Sequence, residues 1–68
     1  MMSIEPYQQR VIDEKKELDE KREKLELFFV TSKFTKLDQA EQDRLTIQSK
    51  IMEAYSDILQ LRIVAFGL

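Results

Sequence analysis

The sequence contains no cysteine, no histidine and no tryptophan, and only one glycine and one proline. Without cysteine, neither a disulfide nor a thiolate metal site can brace the fold. Without histidine the chain lacks the commonest general base near neutral pH and the commonest metal ligand. A single glycine leaves no Gly-rich loop to cradle a phosphate, and so little irregular backbone offers few loops on which to mount an active site. Carboxylates alone can hold a metal, but no D-x-D-x-D-G loop or comparable spacing occurs. These absences predict a protein that is not an enzyme, with no catalytic residue, no metal and no cofactor.

Sixty-eight residues make one domain, 1–68, near the size at which a single core is barely sufficient. Charged residues form 35% of the chain, yet the net charge is only −2, so no uncompensated basic face is expected for duplex nucleic acid. The first six residues, Met1 to Pro6, are neither basic nor followed by an apolar run, and no secretory signal is expected. The apolar C-terminal stretch is interrupted by Gln60 and Arg62 and is too short for a membrane span. The expected location is cytoplasmic, with no membrane partner.

Apolar spacing predicts an all-α fold: a two-helix antiparallel hairpin that assembles into an oligomeric helical bundle. The first helix is expected over about 3–30, capped by Ser3, with Pro6 tolerated in the first turn. Its seam reads Ile4, Tyr7, Val11, Leu18, Leu25 and Phe28, with Glu14 and Lys21 as polar members. Between Asp13 and Lys24 eleven residues are charged, and Lys16–Glu20, Glu17–Lys21 and Glu20–Lys24 are opposite pairs four apart. The connection falls at 31–38, where Thr31, Ser32 and Thr35 favour local hydrogen bonds and Phe34 and Leu37 plug the tip. Asp38 with Glu41 has capping-box spacing and opens the second helix, over about 39–66, with Gly67 as its stop. Its seam is expected at Leu45, Gln48, Met52, Tyr55, Leu59, Arg62 and Phe66.

The second helix carries more apolar surface than one neighbour can cover. Eleven of the sixteen residues from Ile51 to Phe66 are apolar, and a helix apolar around most of its circumference is a buried helix. Ile47, Ile51, Ala54, Ile58, Leu61 and Val64 are therefore the expected oligomer interface, with Ile63 also hidden there. The expected partner is the chain itself, as a dimer making a four-helix bundle or as a larger symmetric assembly.

Folding the chain about residues 35–37 sets Phe28 beside Leu45, Leu18 beside Tyr55 and Val11 beside Arg62, and predicts a Glu14–Arg62 contact. Two readings of the polar seam stay open. In one, these charges fix register and partner choice. In the other, Tyr7, Arg10, Arg62 and Phe66 form a ligand pocket at a subunit interface, two guanidinium groups holding phosphates and two rings stacking a base. Lys33, Phe34, Lys36 and Arg44 form a second basic–aromatic cluster at the tip, where Phe34 is more simply a core plug.

The pattern Tyr7-x-x-Arg10-Val11-x-x-Glu14, Leu18-x-x-Lys21-x-x-x-Leu25-x-x-Phe28, Phe34-x-x-Leu37, Leu45-x-x-Gln48-x-x-x-Met52-x-x-Tyr55 and Leu59-x-x-Arg62-Ile63-x-x-Phe66 resembles a family of very short bacteriophage proteins, including crAss-phage-related ones. In size and helical character that family is similar to the phage sponge proteins that counter CBASS and Thoeris immunity. The resemblance implies a non-enzymatic counter-defence protein acting in the cytoplasm of an infected bacterial host. It implies an oligomer, as large as a hexamer, that sequesters cyclic di- or trinucleotides or related signals between subunits without cleaving them. Tyr7 is the aromatic that the resemblance places near the site; its basic companion is Arg10, Lys21 or Lys24. The alternative function is an oligomeric interaction module that binds a host or phage protein.

Overall fold

The computed structural model describes residues 3–68 and is all-helical; among the described residues there is no strand. Helix α1 spans Pro6–Phe29, α2 is a single short helix at Ser32–Lys36, and α3 spans Gln39–Ala65. The expected cap at Ser3 is corrected: Glu5 caps α1, and its backbone N–H donates to Gln8 Oε1 at 2.8 Å. Pro6 sits at the first helical position, where its missing N–H costs nothing. Folding the Gln8 amide back over the cap accounts for its burial.

The connection is more ordered than a loop. Thr31 is extended, and its hydroxyl donates to the Phe28 carbonyl at 2.7 Å, ending α1 and opening α2. Phe34 then stands edge-on to Phe28 and Phe29, with ring centroids 6.0 and 4.9 Å away, and this is the plug that the spacing predicts. Asp38 accepts the Glu41 N–H at 2.7 Å and caps α3, while Gln42 Nε2 donates to the Leu37 carbonyl at 2.9 Å and ties the turn down. At the far end Gly67 adopts φ 68°, a left-handed conformation suited to glycine, and α3 stops.

Contacts at Tyr7–Phe66, Asp19–Ser56 and Glu26–Ser49 lay α3 alongside α1 in the opposite direction. The long axis extends 52 Å and the cross-section is 15 × 14 Å. This register is within two residues of the expected one, but α3 is turned about its axis. Its inward residues are Leu45, Ser49, Met52, Ser56, Leu59, Ile63 and Phe66, whereas Gln48, Tyr55 and Arg62 are exposed. Both series alternate steps of three and four and share every second member, so apolar spacing alone cannot choose between them. The choice follows from α1, which offers carboxylates at Asp19 and Glu26 to the two serines.

The core between these helices is thin. Val11 and Leu59 are the only buried apolar residues among those described, Leu59 at 0% exposure. Ile63 lies half-buried on the α1 side, which corrects its assignment to the oligomer face. Ile4 and Tyr7, expected on the first seam, are largely exposed, and Lys21 points to solvent.

Candidate functional site

The four expected ligand-binding residues lie at the open end, where α1 begins and α3 ends. Tyr7 on the first turn of α1 meets Phe66 edge-to-face, with centroids 5.7 Å apart and planes at 85°. Phe66 is half-buried by this contact; Tyr7 keeps about half its surface free. Arg10 follows one turn along α1 and Arg62 precedes Phe66 by one turn on α3, and both are exposed. The structure thus brings the aromatic pair together and leaves each guanidinium on the outer surface. Arg62 belongs to the outward set of α3, a consequence of the rotation described above.

The expected Glu14–Arg62 contact is corrected on the same ground. The ion pairs among the described residues are Lys15–Asp19, Arg22–Asp19 and Arg44–Glu41, and neither Glu14–Arg62 nor the expected pairs Lys16–Glu20, Glu17–Lys21 and Glu20–Lys24 occurs. The role of interhelical polar lock falls instead to Asp19. Its carboxylate accepts from Lys15 Nζ at 2.6 Å, from the Ser56 hydroxyl at 2.6 Å and from Arg22 at 3.1 Å. The bond from Lys15, then that from Ser56, with Arg22 adding to them, holds the Asp19 carboxyl down to about 2. A second such contact, Ser49 Oγ to Glu26 at 2.7 Å, lies two turns nearer the tip. Ser49 and Ser56 are seven apart, and that heptad spacing of small polar residues is the signal that could have found them.

At the tip, Phe34 is consumed by the aromatic plug and Arg44 is held by Glu41 at 2.7 Å, leaving Lys33 and Lys36 as exposed cations. No enclosed pocket exists among the described residues of one copy, and no cluster of acidic residues is placed to hold a metal ion there. No described helix is long and apolar enough to cross a membrane.

The most extensive surface feature is the outer face of α3. Ile47, Ile51, Ala54, Tyr55, Ile58, Leu61 and Val64 are all exposed, Leu61 at 64% and Val64 at 65%. These residues line one side of the helix and leave it apolar where it faces solvent. What the arrangement offers chemically is an open aromatic–arginine end beside a long apolar face.

No curated protein sequence and no solved structure matches this chain. A protein-family model does match, described as Sequestin, and it covers residues 5–65, which takes in all three helices along with Tyr7, Arg10 and Arg62 and ends one residue before Phe66. The chain belongs to the Sequestin family.

Proposed function

We propose that this chain is a phage counter-defence protein that sequesters cyclic nucleotide immune signals without cleaving them. It acts as a homo-oligomer in the cytoplasm of the infected bacterium, its antiparallel hairpins assembled into a helical bundle. The observation that carries the reading is the family match over residues 5–65, since the family's name denotes sequestration. The geometry supports a nucleotide as cargo. Tyr7 and Phe66 present aromatic surface at the same end as the exposed guanidinium groups of Arg10 and Arg62, suited to a base and to phosphates respectively. In this reading the ligand is held between copies, in keeping with the lack of an enclosed pocket among the described residues of one copy.

A thermal-shift panel of cyclic di- and trinucleotides and cyclic ADP-ribose derivatives tests this. Ligand at 100 times its Kd stabilises the native state by about 2.7 kcal/mol, a readily measured rise in Tm. Ligand recovered intact after heat denaturation of the complex distinguishes storage from cleavage. A flat panel would instead favour the second reading, an interaction module whose exposed α3 face docks on a host or phage protein.

A further inference from the structure

The outer face of α3 is a second heptad seam, independent of the one facing α1. Ile47, Ile51, Ala54, Ile58, Leu61 and Ala65 recur at alternating steps of four and three, the spacing at which one helix packs along another. All six are exposed. The chain exposes 5402 Å², whereas a compact monomer of its 8.1 kDa mass would expose about 4,500 Å². The surplus is comparable to the roughly 800 Å² that one partner contributes to a standard interface. That area fits a second copy.

We infer that two copies pair through this seam, α3 against α3, antiparallel about a twofold axis that crosses the middle of the helix. Charge complementarity selects the register. With Ile51 against Ala54 of the second copy, Ile47 meets Ile58 and Ala40 meets Ala65, so these residues face small or apolar ones. The flanking positions then bring Lys50 beside Asp57 of the second copy and Glu41 beside Arg62 of the second copy, each pair twice by symmetry. Lys50, Asp57 and Arg62 are exposed and take part in none of the ion pairs of the single chain among the described residues. Arg44 faces Leu61 of the second copy and covers it with its aliphatic stem.

Neighbouring registers fail this criterion. Sliding the copies one heptad one way sets Asp57 against Asp57; sliding the other way sets Lys50 against Lys50 and Asp43 against Asp57. A parallel pairing stacks Arg44 on Arg44 and Ala54 on Ala54. The selected register also overlaps α3 along its whole length, and it lays the tip of one copy, with Lys36, beside the open end of the other, with Tyr7 and Phe66. The ends of the proposed ligand site are thereby shared between copies.

The inference rests on the assembly part of the function proposed above and is independent of the ligand. Its test is charge complementation. Lys50→Asp gives two acidic groups at each flanking pair, and Asp57→Lys gives two basic ones, so each variant alone should self-associate about tenfold more weakly than wild type. Mixed, the two variants restore both opposite pairs, and native mass spectrometry should show mixed assemblies in preference to either parent. The double variant K50D/D57K should recover self-association, and because both sites are exposed, helicity reports whether any chain has unfolded. An associated wild type with random mixing of the two variants overturns the register alone. A monomeric wild type overturns the pairing altogether.

Discussion

Ser56 donates its hydroxyl to the Asp19 carboxylate at 2.6 Å across the two long helices, and this bond fixes which side of α3 faces inward. Had Tyr55 taken that place, as apolar spacing alone suggests, Asp19 would have lost the Ser56 hydroxyl and α3 would have turned a different face outward. The contact is polar, half-buried and reinforced by Lys15 and Arg22 on the same helix as the carboxylate. It is a charge-assisted hydrogen bond in a fold with few other anchors.

Ser56→Ala removes this donor from a buried position with little change in volume, and a loss of about 1 kcal/mol is expected. Ser56→Leu should cost more, because α1 approaches too closely there for a larger side chain. Urea denaturation followed by circular dichroism at fixed chain concentration checks both.

Asp19 also sets an acid limit. Its carboxyl titrates at about 2 in the folded chain against an ordinary value of 3.8, so the unfolded chain binds the proton more readily. The resulting stabilisation is complete above the ordinary value and is lost as the pH falls from there towards 2. Because Asp19 is partly exposed, the effect is modest and screened by salt. Asp19→Asn should flatten the decline of stability between pH 4 and 2, and denaturant midpoints at several pH values measure it.

Leu59→Ala should be the most damaging single truncation. Leu59 is wholly buried, and with Val11 it makes up the buried apolar core. Truncations of this kind cost about 2–5 kcal/mol, comparable to the whole stability expected of so small a domain. Loss of the cooperative thermal transition is the expected outcome, whereas Leu27→Ala on the exposed face of α1 should leave Tm nearly unchanged.

Much of this architecture is legible in the sequence because it follows from strong local signals. Asp38 and Glu41 mark the start of α3, Gly67 marks its end, and Phe34 and Leu37 mark the tip. The surplus of apolar residues on α3 is equally plain, and Ile47, Ile51, Ala54, Ile58, Leu61 and Val64 are indeed exposed in one copy. The rotation of α3 was not legible. Gln48, Tyr55 and Arg62 compete with Ser49, Ser56 and Ile63 for one seam, and hydrophobicity favours neither set clearly. Hydrogen bonds to Asp19 and Glu26 decide it, and a search for apolar periodicity passes over serine and aspartate. The displaced Arg62 carried the expected Glu14–Arg62 contact away with it. Tyr7 and Phe66 meet at the open end because Phe66 is a member of both series and faces α1 in either.

At the site, Arg10 and Arg62 separate binding from folding. Both are exposed and outside the ion pairs of the single chain. Arg10→Ala should weaken binding of a cyclic dinucleotide about tenfold or more while leaving helicity and Tm of the free protein unchanged. Arg62→Ala should weaken ligand binding and also self-association, because Arg62 flanks the α3 seam. Isothermal titration of both variants, alongside their sedimentation, reads the two effects separately.

Coverage of α3 by further copies of the chain is the condition on which the proposed assembly and its shared site both stand. Sedimentation equilibrium of the wild-type protein at low micromolar concentration measures this without any ligand. A multiple of 8.1 kDa accompanied by full helicity is the predicted result. A folded species at 8.1 kDa, with Ile51, Leu61 and Val64 left in water, would contradict it.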